Sequence, residues 1–172
     1  MAERKDVIKF KGNPLTLVGN ELKVGDTAPD AEVLANDLSP VKLSGFGGKV
    51  CVICTVPSLD TPVCDIQTRK FNEQAASLGN DVVVLTISMD LPFAQKRWCG
   101  AANVENVQTL SDHSKAEFGT EFGVLIKELR LLARTVFVVD KEGIIRYIEI
   151  VDEVTNEPNY EAALSAVKET GQ

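Results

Sequence analysis

The sequence contains four cysteines, and their surroundings would affect a thiol in different ways. A thiol reacts as its thiolate, which is favoured near positive charge and near the free amides that begin a helix. Cys64 lies at the end of the stretch VPSLDTPVC, where a Thr-Pro pair predicts a helix start. If Thr61 is the N-cap and Pro62 the first helical residue, Cys64 lies among unpaired amides at the positive end of the helix dipole. We therefore expect Cys64 to be the reactive sulfur.

Polar residues around Cys64 would act on its thiolate in opposite directions. Thr61 can accept a capping hydrogen bond and still donate its hydroxyl proton towards the sulfur or a substrate oxygen. Asp65 would disfavour the thiolate by placing a negative charge beside it, so a cation is needed. Arg69 lies one helical turn from Asp65 and could simply pair with it. Arg134 has apolar neighbours and is the stronger candidate, although local pattern makes a structural carboxylate an equally good partner for it.

Cys51 and Cys54 form a CxxC motif, which suggests a redox pair or half of a zinc site. A redox CxxC begins a helix, whereas KVCVICTVP has the pattern of a buried strand. Three steps along a strand cover roughly 10 Å and place the two side chains on opposite faces. A disulfide tolerates no more than ~7 Å between its Cα atoms. A zinc site needs further ligands, and the single histidine, His113, lies in a polar stretch. We therefore expect Cys51 and Cys54 to be small buried side chains without a redox or metal-binding role.

Cys99 lies beside Trp98, on the predicted last turn of a short helix that closes at Gly100. The negative end of the helix dipole disfavours a thiolate there. Cys99 is therefore a poor first nucleophile, although its thiol can still attack an oxidised sulfur. A core position against Trp98 is the alternative, and the local pattern leaves it open.

Alternating and helical apolar patterns predict an α/β protein. The first predicted element is a hairpin over residues 7–18 with a Gly-Asn-Pro turn. A strand at 49–57, a helix at 62–78, a strand at 81–88, a short helix up to Gly100 and a strand around VQTLS follow it. After an irregular or helical connection come a hairpin across 141–143 and a C-terminal helix with Asn156 or Pro158 near its start. This order indicates one domain, with a mixed central sheet and helices on both faces.

Composition points away from two classes of partner. The 172 residues are 44% hydrophobic and 25% charged, as in a soluble globular protein. A net charge of −7 disfavours a general nucleic-acid partner. No apolar run reaches the roughly 20 residues that span a bilayer, so no membrane partner is expected. The N-terminal stretch lacks the apolar core of a secretory signal, which predicts a cytoplasmic protein.

Four stretches together resemble a known family. Residues 57–64, PSLDTPVC, match the P-x-x-x-T-x-x-C pattern of the peroxiredoxins. DLPFAQKRWCG around Cys99, LLARTVFVVD around Arg134 and the N-terminal FKGNPLTLVG are similar to the thiol peroxidase branch of that family. The similarity extends over nearly the full length. It implies a single thioredoxin-like domain over residues 1–172, with an N-terminal hairpin extension of about residues 1–20.

The resemblance also implies an activity and a role for each site residue. It implies an atypical two-cysteine peroxidase that reduces hydrogen peroxide and organic hydroperoxides to water and alcohols without a cofactor. Cys64 would be the peroxidatic cysteine, and Cys99 the resolving cysteine that forms an intramolecular disulfide with it. Pro57, Thr61 and Arg134 would complete the site, with Pro57 shielding the thiolate from water. Family members are typically homodimers that use thioredoxin as reductant.

Two alternatives stay open on the sequence, one within enzymes and one from a different class. One is a thiol–disulfide oxidoreductase that uses Cys51 and Cys54, and the other is a redox-sensing or metal-binding module without turnover. If Cys64 and Cys99 form a disulfide, two packed helices must bring their thiols within reach, which packed helices rarely do. We then expect the end of the Cys99 helix to unwind, with the first turn at Cys64 as a second candidate.

Overall fold

The computed structural model describes residues 1–75 and 77–170. Its strands are β1 Glu3–Phe10, β2 Asn13–Val18, β3 Glu32–Leu34, β4 Pro40–Lys42, β5 Val50–Thr55, β6 Val82–Ser88, β7 Gln108–Ser111, β8 Leu125–Ile126, β9 Leu131–Leu132, β10 Thr135–Val139 and β11 Ile145–Ile150. Its helices are α1 Pro62–Ala75, α2 Pro92–Ala102, α3 Glu117–Glu121 and α4 Tyr160–Thr170, with a 3-10 helix at Leu43–Phe46. Within these residues, no helix has the length and apolarity to cross a membrane.

The central sheet has the strand order β11-β10-β5-β6-β7-β3-β4. β5, β6 and β7 are parallel neighbours, and α1 and α2 are the crossovers between them. β10 and β11 add antiparallel pairs on one side, and β3 and β4 do so on the other. The mixed sheet predicted from the order of elements is confirmed.

Helices cover both faces of the central sheet, as predicted. α1 and α4 pack on one face, where Phe71 and Val167 are part of the buried core. α3 packs on the other face, where Phe118 joins a larger core that includes residues of the N-terminal strands. β5 lies between these two layers, and all its residues from Val50 to Thr55 are buried. Its continuous apolar run follows from this position, because a strand covered on both faces needs no polar alternation.

The two cysteines of β5 face different cores. Cys51 packs in the core on the α3 side, and Cys54 packs in the core on the side of α1 and α4. Both are buried. The expectation that they lie on opposite faces is confirmed, because side chains three residues apart on a strand cannot share a face.

The N-terminal hairpin is present, but its turn and its neighbours differ from the prediction. β1 and β2 pair antiparallel around Lys11 and Gly12, which both have positive φ. Asn13 and Pro14, which were expected in the turn, begin β2 instead. β2 also pairs with β8, and β8 with β9, so the hairpin belongs to a second, four-stranded sheet that the sequence pattern does not predict. β8 and β9 are two residues long, too short to show a period.

The helix that carries Cys99 is longer than predicted. α2 does not close at Gly100 but continues to Ala102. Asn103 follows it in the left-handed conformation, with a φ of 57°. Asparagine can take the position that glycine most often occupies at a helix end, so the glycine is a misleading stop signal here.

Two other helix boundaries also differ from the prediction. Ser77 and Leu78, predicted within the first helix, lie outside α1 in a turn whose amides bond back to the carbonyls of Gln74 and Ala75. α4 begins later than predicted, since Asn159 caps it by accepting the Ala162 amide at 3.1 Å. Asn156 and Pro158 precede this cap.

Candidate active site

Cys64 occupies the position that the Thr-Pro pair predicts. Pro62 is the first residue of α1, so Cys64 is on its first turn. The amide of Asp65 makes the first helical hydrogen bond, to the carbonyl of Thr61 at 2.9 Å. Amides before it have no helical carbonyl to bind, so they favour negative charge at this end of the helix.

The Cys64 side chain is fully enclosed, with 0% of its surface exposed. It packs in a small cluster with Val56 and Leu59, against which Trp98 of α2 also packs. Pro57, predicted to shield the sulfur, is buried in the loop that carries Val56 and Leu59. Protein atoms therefore exclude water from the sulfur in this state, and a substrate must displace part of the cluster to reach it.

Arg134 contacts the sulfur directly. Its Nη2 donates to Cys64 Sγ at 3.3 Å, its Nη1 to Oε1 of Gln67 at 2.8 Å, and its Nε to the carbonyl of Val154 at 2.9 Å. Arg134 is 2% exposed. The ion pairs found in residues 1–75 and 77–170 do not include it, so the structural carboxylate considered as its partner is not seen. A buried guanidinium needs polar partners, and here its donors go to the sulfur of Cys64, the side-chain oxygen of Gln67 and the carbonyl of Val154.

Thr55, at the end of β5, holds both residues that flank Arg134. Its hydroxyl donates to the carbonyl of Ala133 at 2.6 Å and is also hydrogen-bonded to the hydroxyl of Thr135. Thr135 begins β10, which pairs with β5. The backbone is thus fixed on each side of Arg134, and this directs the guanidinium towards Cys64.

Sequence reasoning does not single out Gln67, which orients the Arg134 guanidinium. The spacing could have identified it, because Gln67 lies three residues after Cys64 and therefore shares its face of α1. A glutamine that is 0% exposed on a helix needs a polar partner. Val154 contributes only its backbone carbonyl, which no side-chain pattern can reveal.

The hydroxyl of Thr61 points to a different partner from the one expected. It donates its one proton to the carbonyl of Ser58 at 2.9 Å, and therefore not to the sulfur of Cys64. The loop before α1 folds back so that this carbonyl lies within reach. In this state Thr61 stabilises the loop, and the predicted contact with the sulfur is not made.

Asp90, which the sequence analysis does not identify, anchors the same loop. It accepts hydrogen bonds from the hydroxyl of Ser58 at 2.6 Å and from the amide of Leu59 at 2.8 Å. The hydroxyl of Ser88 also donates to it, at 2.8 Å. Because Asp90 lies between β6 and α2, it joins the loop that encloses Cys64 to the beginning of the helix that carries Cys99.

Cys99 is turned towards β7. Its Sγ lies 3.3 Å from the hydroxyl oxygen of Thr109, whereas the preceding residue, Trp98, packs on the cluster around Cys64. Partial burial raises the pKa of Cys99 above the usual thiol value, so the neutral thiol is its resting form. All four cysteines are free, so the structure describes the reduced protein, without the disulfide that the resemblance implies.

Both carboxylate oxygens of Asp65, the residue after Cys64, have a side-chain partner. Its Oδ2 pairs with Nε of Arg69 at 2.9 Å, as the one-turn spacing predicts. Its Oδ1 accepts a hydrogen bond from Nε1 of Trp98 at 2.9 Å. The carboxylate thus connects the first turn of α1 to α2, beside the second cysteine.

We expect Cys51 and Cys54 to be poor nucleophiles in the folded protein. Burial raises the pKa of Cys51 to about 11 and raises the pKa of Cys54 as well. At pH 9, about half of the thiols of the urea-unfolded chain but only about 1% of Cys51 are ionised, so iodoacetamide should label Cys51 about fiftyfold more slowly than it labels the unfolded chain. The rate at Cys51 should keep rising up to pH 10, and peptide mass spectrometry measures it. A plateau near pH 9 would contradict this expectation.

The chain matches the Redoxin family model over residues 23–164. It is 61% identical to the thiol peroxidase of Halalkalibacterium halodurans over 161 residues, which cover 94% of this chain and 96% of that protein. It is 60% identical to the thiol peroxidase of Bacillus subtilis over 161 residues, with the same coverage of 94% and 96%. The chain belongs to the thiol peroxidase branch of the peroxiredoxin family.

The fold supports the same placement. A crystal structure of a peroxiredoxin-like protein from Aquifex aeolicus is 50% identical to this peroxiredoxin and superposes with a TM-score of 0.89, covering 95% of this chain and 96% of the other. The predicted thioredoxin-like fold and family membership are confirmed. The protein is a thiol-dependent peroxidase, which reduces a peroxide with electrons from a thiol reductant.

Proposed function

We propose that Cys64 is the peroxidatic cysteine of this enzyme and that Arg134 is the cation of its site. The observation that carries the proposal is the 3.3 Å contact between Arg134 Nη2 and Cys64 Sγ, in a buried site at a helix start. The thiolate attacks the terminal oxygen of ROOH, so an S–O bond forms and the O–O bond breaks. The leaving oxygen takes a proton and departs as alcohol or water, and Cys64 becomes a sulfenic acid.

The protein lowers the barrier to this step by position and charge. Arg134 contacts the sulfur, and the unpaired amides of the first turn lie at the same end of α1, so both stabilise the charge that moves to the leaving oxygen. Thr61 supplies its hydroxyl once the Ser58 carbonyl releases it, and Pro57 keeps water away. These two roles follow from the family pattern and are supported by the location of both residues in the loop around Cys64.

The peroxide enters through a cleft between the Cys64 loop and α2. The cleft has a volume of about 410 Å³, and its wall includes Leu59, Trp98, Ala94 and Ala101. Leu59 belongs to the cluster that encloses Cys64 and Trp98 packs against it, so a shift of either would connect the cleft with Cys64. The apolar part of this wall suits the alkyl group of an organic hydroperoxide.

Cys99 completes the cycle as the resolving cysteine. Its sulfur attacks the Cys64 sulfenic acid, so an S–S bond forms, the S–O bond breaks, and hydroxide leaves with the thiol proton as water. A dithiol reductant then opens the disulfide by exchange and becomes a disulfide itself. We assign this role to thioredoxin. A homodimer and a cytoplasmic location are also predictions, which sedimentation and cell fractionation test.

Replacing Cys99 by serine tests whether Cys64 reacts with the peroxide and Cys99 resolves the sulfenic acid. We expect Cys99→Ser to form the Cys64 sulfenic acid with one equivalent of peroxide, because the first step needs only Cys64. Steady-state turnover with thioredoxin, thioredoxin reductase and NADPH should fall to background, because no intramolecular disulfide forms. Dimedone labelling of Cys64 and NADPH consumption are the two measurements. Native turnover in this variant would overturn the assignment of Cys99.

The alternative redox pair in β5 is not supported. Cys51 and Cys54 are buried in different cores and are neutral thiols at physiological pH. In the part of the chain that the structure describes, no three His, Cys, Asp or Glu side chains are grouped as metal ligands.

A further inference from the structure

α1 carries three polar residues at successive turns that bind the end of α2 and the loop after it. Asp65 accepts from Nε1 of Trp98 at 2.9 Å, and Nη1 of Arg69 donates to the carbonyl of Ala102 at 3.4 Å. Arg69 also pairs with Asp65 and lies 5.8 Å from the centre of the Trp98 ring. The two contacts are one helical turn apart on each helix. They therefore hold the last turn of α2 against α1.

The third contact extends this hold beyond α2. The side-chain oxygen of Asn72 accepts the backbone amide of Asn106 at 2.7 Å, and the Asn106 side chain donates back to the Asn72 carbonyl at 3.4 Å. We call Asp65, Arg69 and Asn72 the α1 clasp. The segment that it holds, residues 98–106, contains Cys99.

This segment must move if Cys99 is to reach Cys64. A disulfide requires its Cα atoms within ~7 Å and its sulfurs in direct contact. In the reduced protein the Cys99 sulfur lies 3.3 Å from the hydroxyl of Thr109 of β7, while Trp98 packs against the cluster of Val56, Leu59 and Cys64. Trp98 therefore has to withdraw before Cys99 can take its place, and the bond from Trp98 to Asp65 has to break.

We propose that the α1 clasp sets how readily the Cys99 segment is released, with Asp65 as a positioning residue for the resolving step. The proposal rests on the assignment of Cys64 and Cys99 made above. It also gives Asp65 a purpose: the carboxylate beside the reactive sulfur holds the neighbour of the second sulfur. Each cysteine is then restrained through the residue next to it in sequence.

The α1 clasp affects the competition between two reactions of the Cys64 sulfenic acid. The Cys64 sulfenic acid either condenses with Cys99 or is oxidised by a second peroxide to a sulfinic acid. A firm clasp delays condensation and leaves the sulfenic acid open to the second peroxide for longer. A weaker clasp speeds condensation and protects the enzyme from irreversible oxidation.

The test compares Asp65→Ala with Asp65→Asn. Alanine removes both contacts, whereas asparagine keeps an acceptor for Trp98 and loses the ion pair with Arg69. We expect the peroxide-independent rate of disulfide formation to rise about fivefold in Asp65→Ala and less in Asp65→Asn. The sulfinic fraction at high peroxide should fall in the same order. Trp98 is the only tryptophan, so its fluorescence reports release of the segment directly.

A matched control separates this effect from a general loss of helix stability. Glu73 is exposed on α1, so Glu73→Ala should leave the rate of disulfide formation and the sulfinic fraction unchanged. Equal rates in native protein, Asp65→Ala and Asp65→Asn would overturn the clasp. If native protein forms no disulfide between Cys64 and Cys99, the proposed function fails instead, and the two failures are therefore distinct.

Discussion

Replacing Cys64 by serine is expected to lower peroxidase turnover by at least about a thousandfold. A serine hydroxyl is not ionised at neutral pH and is a weak nucleophile towards a peroxide oxygen, even beside Arg134. The measurement is NADPH consumption in the coupled thioredoxin system, with hydrogen peroxide and cumene hydroperoxide as substrates. Both peroxides should lose activity together, because they share the attacking sulfur.

The control for this loss is a cysteine of β5. Cys54→Ala removes a buried thiol from the same domain and leaves the Cys64 loop unchanged. It should lower thermal stability because it creates a cavity, but its turnover per folded molecule should stay within about twofold of native. Turnover retained in Cys64→Ser, or lost in Cys54→Ala while the protein remains folded, would contradict the assignment.

Replacing Arg134 by methionine is expected to lower the second-order rate of Cys64 oxidation by about 10²–10³-fold. The change removes the side-chain cation that contacts the sulfur, and with it the donor that stabilises the charge leaving with the peroxide oxygen. It also leaves the acceptor oxygens of Gln67 and Val154 without their donor, so the melting temperature should fall. Stopped-flow oxidation of the reduced protein measures the rate, and circular dichroism confirms that the variant is folded.

A second variant keeps this prediction testable if methionine prevents folding. Arg134→Lys retains the charge but cannot make the three directed bonds of the guanidinium, so its rate should lie between those of methionine and native. Arg130→Met, at an exposed position just before β9, should oxidise at the native rate. A native rate in folded Arg134→Met would show that the sulfur does not depend on this cation.

Local patterns predicted the parts of the site that lie within one element. The Thr-Pro pair placed Cys64 on the first turn of α1, because capping and proline preferences depend on neighbours only. The period of a strand separated Cys51 from Cys54 for the same reason. The spacing of one turn also predicted the pair of Asp65 and Arg69.

Contacts between segments distant in sequence were harder to predict from the sequence. Arg134 is 70 residues from Cys64 in sequence, and only its apolar neighbours marked it as a buried cation. Nothing in the pattern around Asp90 or Thr55 shows that they hold the loop and the strand on either side of the site, because tertiary packing alone brings these groups together. Gly100 shows that even a local rule fails when Asn103 offers an alternative end to the helix.

The most direct test of the central claim is a disulfide map of the native protein after one equivalent of peroxide. Peptide mass spectrometry without reduction should find Cys64 joined to Cys99, and a non-reducing gel should show a monomer, since the bond forms within one subunit. Cys51 and Cys54 should remain free thiols. A Cys51–Cys54 disulfide, or a Cys64 that is oxidised while Cys99 remains free in the native chain, would contradict the account.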